Sequence, residues 1–97
     1  MYAIAFDMYT DCLKEHYGTS FNNAYNEIEK ILKEKGFERK QGSLYTSRPD
    51  QTSPLRAVYS AISTLKDTPW FKLSVKDIRV FKIEDWSDFT PEFKDED

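Results

Sequence analysis

The sequence predicts an α+β sandwich, a single four-stranded antiparallel sheet with two helices on one face. Three observations predict it. The chain opens on the alternating stretch Tyr2-Ala3-Ile4-Ala5-Phe6-Asp7-Met8 and carries a second long alternating run from Val75 to Ile83. Two amphipathic stripes at helical spacing lie between them. A hairpin signal separates the two stripes. The order strand, helix, hairpin, helix, strand is the βαββαβ arrangement of ferredoxin-like domains.

In the first strand Tyr2, Ile4, Phe6 and Met8 point one way, and Ala3, Ala5 and Asp7 the other. One face is bulky and suits packing against helices. The other is nearly flat and ends in a carboxylate. Tyr9 to Gly18 reads as a connection with one helical turn over Asp11–His16. Phe21, Ala24, Tyr25, Ile28, Ile31 and Leu32 then form one apolar stripe. Thr19 or Ser20 is expected to cap this helix, with Asn22 and Asn23 as further capping residues. Lys33, Lys35 and Gly36 suit its end.

Two short β-type runs, Phe37–Lys40 and Ser43–Thr46, flank Gln41-Gly42 and predict the hairpin. A polar loop from Ser47 to Thr52 turns at Pro49. Ser53-Pro54 places an N-cap serine before a proline at the first helical position. Leu55, Val58, Tyr59, Ile62 and Leu65 make the stripe of the second helix, which ends before Pro69. Trp70-Phe71 is expected to plug the end of the core, and Val75 to Ile83 forms the last strand. Residues 1–85 make the domain and 86–97 an acidic C-terminal tail. Trp86, Phe89 and Phe93 within the tail predict that part of it docks.

A βαββαβ sheet runs 4-1-3-2, so the first strand is central with the last antiparallel beside it. Asp77 and Arg79 then come near Asp7 at one end of the sheet. The face without helices is expected to carry Ala3, Ala5, Tyr45, Phe81 and Ile83. An uncovered apolar patch of that kind marks an interface. Dimerisation through it would bring two Asp7 side chains together across a twofold axis.

Ninety-seven residues, 39% hydrophobic and 15% aromatic, fit one small domain with a single core. No window approaches a membrane span, and no basic stretch precedes a long apolar one, so the chain reads as cytoplasmic. The lone Cys12 makes no internal disulfide and agrees with a reducing compartment. With a single histidine, His16, an intrachain Cys/His zinc cluster is excluded. No nucleophile-elbow signature accompanies His16. Cys12 reads as a small buried side chain and His16 as an exposed helix-end residue. The net charge of −3 hides an asymmetry. Residues 84–97 hold seven acids against Lys94 alone, a net of −6, which leaves +3 on residues 1–83. An acidic tail beside a basic body either solvates the chain or covers a basic groove.

Five blocks also carry a family resemblance: Tyr2-Ala3-Ile4-Ala5-Phe6-Asp7, Asn22-Asn23-Ala24-Tyr25, Gln41-Gly42-Ser43-Leu44-Tyr45, Pro69-Trp70-Phe71 and Val75-Lys76-Asp77-Ile78-Arg79. In this order they resemble the signature blocks of the virulence-associated protein D (VapD) family, over roughly residues 1–85. That family is similar in fold to the small CRISPR-associated ferredoxin-like nucleases. The resemblance implies a homodimeric bacterial endoribonuclease, often the toxin of a toxin–antitoxin pair with a protein antitoxin as partner. It places Asp7 at the catalytic position. The tail after Glu84 has no counterpart in the pattern. The alternative reading is a non-catalytic dimer that binds a partner protein or nucleic acid.

RNA cleavage needs a base to activate a 2′-OH or a water, and positive charge to stabilise the phosphorane. Asp7 can act as that base, or hold a Mg²⁺ ion with its twofold mate as second ligand. No resident cofactor is required by the first route. Arg79, and Arg48 or Arg56, can bind phosphate. Asp77 is a secondary acid or simply the ion-pair partner of Arg79. Tyr45 and Tyr9 can stack bases or pack in the fold. Ser43 can touch the RNA backbone or serve as a turn hydroxyl.

Overall fold

Strand β1 (Tyr2–Met8) pairs on both sides, with β3 (Leu44–Ser47) and β4 (Val75–Lys82), and β2 (Phe37–Gln41) completes the sheet beyond β3. The order is β2-β3-β1-β4 with every neighbouring pair antiparallel. This computed structural model describes residues 1–18, 20–85 and 87–94. The architecture is α+β and ferredoxin-like, with α2 (Asn22–Glu34) and α3 (Pro54–Lys66) as the two long helices.

The even-numbered side chains of β1 build the core. Ile4, Phe6 and Met8 are buried. Phe6 stacks on Tyr45 with centroids 6.0 Å apart and meets Phe71 edge-on at 5.6 Å. Ala24, Ile28 and Leu32 of α2 and Val58, Ala61 and Leu65 of α3 complete the same cluster. Each large side chain so buried stabilises the fold by about 1.5–3 kcal/mol relative to exposure.

Two further helices exceed the sequence expectation. The segment read as one turn is α1 (Thr10–Tyr17), and the core plug is α4 (Pro69–Ser74). They support each other. Tyr17 packs edge-on against Trp70 at 4.9 Å, and the Tyr9 N–H donates to the Ser74 carbonyl at 2.8 Å. Helices this short are unstable alone and form here through tertiary packing, which local periodicity does not announce.

The expected start of α3 is right in place and different in chemistry, whereas α2 starts later than a Thr19 or Ser20 cap would place it. Pro54 stands at the first position of α3, but the Ser53 side chain makes no cap hydrogen bond. α2 starts after Phe21, again without a side-chain cap, and Asn22 and Asn23 occupy its first turn. Thr19 lies outside the described residues. Gly36 follows the end of α2 at φ +94°, a left-handed conformation that favours glycine.

The hairpin turn falls one residue later than expected, on Gly42-Ser43. The Arg39 Nε–H donates to the Gly42 carbonyl across it at 2.9 Å. Register corrects the placement of Tyr45. It lies opposite Ile4, so it faces the helices and is buried, not part of the uncovered surface. Residues directly opposite share a face, and face assignment therefore depends on pairing that sequence alone does not reveal. The helix-free face carries Ala3, Ala5 and Asp7 of β1, Leu44 and Thr46 of β3, and Asp77, Arg79 and Phe81 of β4. Ile83 lies just past β4, its N–H donating to the Met1 carbonyl at 2.8 Å.

Phe89 and Phe93, expected to help dock the tail, are exposed, and α5 (Thr90–Lys94) buries no residue. Trp86 lies outside the described residues. Among the described residues no helix is long and apolar enough to cross a membrane.

Candidate active site

Asp7 ends the exposed row of β1, and its Cα partner across the sheet is Asp77. Directly opposed residues on neighbouring strands hold their Cβ atoms about 4.5–5.5 Å apart. Two exposed carboxylates therefore share one end of the helix-free face. The pairing with β4 shifts register between Asp7 and Met8, so the regular ladder stops at this pair. Such irregularities re-aim side chains at sheet ends. The Met8 N–H donates to Asp7 Oδ1 at 3.1 Å, which orients the carboxylate locally.

Arg79 lies opposite Ala5, two residues along β4 from Asp77 and on the same face. Its Nε–H donates to both carboxylate oxygens of Asp77, at 3.0 and 3.2 Å. The ion pair foreseen from sequence is present, and the guanidinium stands beside the acid pair. On the other side of β1, Ser43 sits in the hairpin turn, its carbonyl accepting from the Phe6 N–H at 3.1 Å. Ala5, Phe6, Gln41, Gly42, Ser43 and Leu44 line an open hollow of about 580 Å³ there. Asp7 thus stands between a turn serine and an arginine–aspartate pair, each about one strand spacing away.

Two sequence candidates lie elsewhere. Tyr45 is 1% exposed in the core, and burial pushes its phenol up to about 12. It has no free face for a base. Arg48 follows β3 at the opposite end of the sheet from Asp7. Its Nη1–H donates to the Lys33 carbonyl at 3.4 Å, and its Nε lies 3.5 Å from Asp50. His16 is exposed near the end of α1, and Cys12 is half-buried on the same helix, less enclosed than expected.

One contact near the site has no signal in the sequence. The Lys76 ammonium lies 5.9 Å from the centroid of the Tyr9 ring. Tyr9 leaves β1 two residues after Asp7 and is exposed. Lys76 precedes Asp77 directly, and only the pairing of β1 with β4 brings the two together.

Among the described residues no group of three or more His, Cys, Asp and Glu side chains converges. Asp7 and Asp77 are the acids that would hold a divalent ion. Two carboxylates plus substrate phosphate match the way Mg²⁺ is usually bound.

The chain resembles known proteins over nearly its whole length. The family described as CRISPR associated protein Cas2 matches residues 1–90. The Endoribonuclease VapD of Dichelobacter nodosus is 59% identical over 90 residues, covering 93% of this chain and 94% of that protein. That of Helicobacter pylori (strain ATCC 700392 / 26695) is 48% identical over 90 residues, 93% and 95% of the two chains. The Endoribonuclease VapD homolog of Neisseria gonorrhoeae is 46% identical over 90 residues, with coverage of 93% and 95%. The likeness runs past residue 85, so the start of the acidic tail does have counterparts among these relatives. With matches of this extent, the chain belongs to the CRISPR associated protein Cas2 family and stands among its VapD relatives.

Proposed function

We propose that the protein is an endoribonuclease that cleaves RNA at the Asp7 end of the helix-free sheet face. The observation that carries the reading is the direct opposition of Asp7 and Asp77 with Arg79 bound beside them. Like charges opposed across strands destabilise a sheet. Arg79 offsets one of the two charges, and phosphodiester chemistry would use the acid left beside it. The names of the VapD relatives support the same reaction class.

In the proposed mechanism Asp7 accepts the proton of a ribose 2′-OH. The freed oxygen attacks the adjacent phosphorus, and the bond to the 5′-oxygen breaks. The leaving oxygen takes a proton from water. The products are a 2′,3′-cyclic phosphate and a 5′-hydroxyl. Arg79 stabilises the charge that develops on the phosphorane, held in place by Asp77. Ser43 and the hairpin turn contact the backbone on the other side of β1. Mg²⁺ held by Asp7 and Asp77 would supply charge neutralisation on the phosphate oxygens.

The active unit is a homodimer joined through the helix-free face, where Ala5, Leu44 and Phe81 form a low apolar surface around the buried Ala3. Phe81 is 45% exposed in the single chain. Pairing there brings a second Asp7 toward the first. The cellular role is that of a toxin restrained by a protein antitoxin, a reading that rests on the family resemblance.

Single-turnover cleavage of single-stranded RNA by wild type and Asp7→Asn tests the proposal. The substitution is expected to lower the rate about 10²–10⁴-fold, the usual contribution of a general base, with an unchanged Tm. Cyclic-phosphate ends formed in chelator support 2′-OH attack. Chelator-sensitive cleavage that leaves 5′-phosphates replaces it with metal-assisted hydrolysis. Equal cleavage by both proteins would sink the assignment of Asp7. Induction in a bacterial host should arrest growth for wild type and not for Asp7→Asn.

A further inference from the structure

A second charged site lies at the other end of the sheet, and the Asp7 chemistry does not use it. A polar hollow of about 450 Å³ opens there between the end of α2, the loop after β3 and the start of α3. Lys35, Arg48 and Arg56 reach it from those three elements. Glu34 lines it as well, and Asp50 lies beside Arg48. Among the described residues, Lys35 and Arg56 make no ion pair within 4.0 Å.

The hollow is tied together by backbone. The Arg48 N–H donates to the Gly36 carbonyl at 3.0 Å, and the Gln51 N–H to the Arg48 carbonyl at 3.1 Å. The Gln51 amide packs on the bare Cα of Gly36, where a Cβ would collide with it. The Lys33 carbonyl accepts from the Arg48 guanidinium and fixes its approach. Three cations are therefore presented by neighbouring, hydrogen-bonded segments, and two of them lack an acidic partner. That chemistry suits a polyanion.

We propose that this hollow is a second phosphate-binding subsite for RNA, engaged only by substrates long enough to reach it from the Asp7 end. The proposal rests on the endoribonuclease reading and adds a length requirement to it. β3 runs antiparallel to β1, with Leu44 beside Ala5 and Thr46 beside Ala3, so the same register sets Arg48 level with Met1. At about 3.3 Å per residue, that is roughly 20 Å from Asp7 along the strand direction. Asp7 is on the helix-free face and the hollow opens between the helices, so a strand of RNA cut at Asp7 needs several nucleotides to pass round the sheet and place a phosphate at Arg56. Single-strand-binding folds contact about 4–16 nucleotides, which brackets such a path.

The test is fluorescence anisotropy of the full wild-type chain with 2′-O-methyl RNA, which lacks the attacking hydroxyl. Oligomers of about 4 and about 16 nucleotides are compared. The double substitution Lys35→Gln, Arg56→Gln is expected to weaken the longer RNA about tenfold at low salt. It should lower the slope of log K against log salt by about 1.4, two phosphate contacts at about 0.7 each. Binding of the shorter RNA should not change. Arg56→Lys should restore most of the loss when paired with native Lys35, and thermal melting checks that each variant folds. An unchanged affinity and slope for the longer RNA overturns the proposal. So does equal weakening of both lengths, and so does loss of polyglutamate binding with RNA binding intact, which would make the hollow a peptide site. A wild type that binds through the hollow and cleaves no RNA sinks the endoribonuclease reading and leaves the subsite. A cleaving enzyme indifferent to the double substitution sinks the subsite alone.

Discussion

On one face of β1, Ile4, Phe6 and Met8 lie buried beneath helices and against Tyr45 and Phe71. On the other face, the buried Ala3 and the half-buried Ala5 lead to the exposed Asp7. The same seven residues thus serve two environments, and the difference shows what each environment tolerates. The covered side must exclude unpaired charge, because burying an ion without a partner is costly. The open side can place two carboxylates opposite each other, because water screens them and Arg79 offsets one of them. The proposed chemistry lies where the sheet is accessible. Stability gathers where it is not.

That contrast can be broken most severely from the covered side. Phe6→Ala is expected to destabilise the fold by about 3–5 kcal/mol, since it leaves a cavity between Tyr45 and Phe71. Urea unfolding checks it. A loss below about 1 kcal/mol would mean that the site collapses freely and that Phe6 is no keystone. By contrast, Asp7→Asn on the same strand should move the midpoint hardly at all while removing cleavage.

Alkaline titration reads the covered side a second way. Burial pushes the Tyr45 phenol up to about 12 from its ordinary 10. The folded state therefore holds that proton where the unfolded chain has lost it. The stabilisation is whole below pH 10 and disappears as pH rises from 10 through about 12. Tyr45→Phe should flatten this window. An identical alkaline loss in wild type and Tyr45→Phe would contradict the assignment.

The smallest expected effect on the folded chain comes from the open side. Ala5→Arg sets a charge beside Leu44 and Arg79, and surface substitutions usually cost within about 0.5 kcal/mol. Its consequence is expected in assembly, with the proposed dimer giving way to monomer in light scattering at micromolar concentration. A dimer mass that persists would move the interface away from this face and leave the two faces of β1 less different than proposed.

Much of the fold is legible in the amino-acid sequence alone. The alternation of residues 2–8, the stripes of α2 and α3 and Pro54 at a helix start all follow from local periodicity and turn chemistry, and the strand order from the βαββαβ arrangement they spell out. So does the meeting of Asp7 with Asp77 and Arg79, because the βαββαβ order sets the first and last strands side by side. The face of Tyr45 and the end of the sheet reached by Arg48 were decided only by tertiary structure. A hairpin turn displaced by one residue and a register against β1 determined both. The helices α1 and α4 belong to the same class, since each is too short to persist alone and exists through the Tyr17–Trp70 contact. Periodicity is a property of neighbours along the chain and can be read from it. Register, and the helices that depend on one another, are set by contacts between residues far apart in sequence, whose energies appear only when the chain has closed on itself.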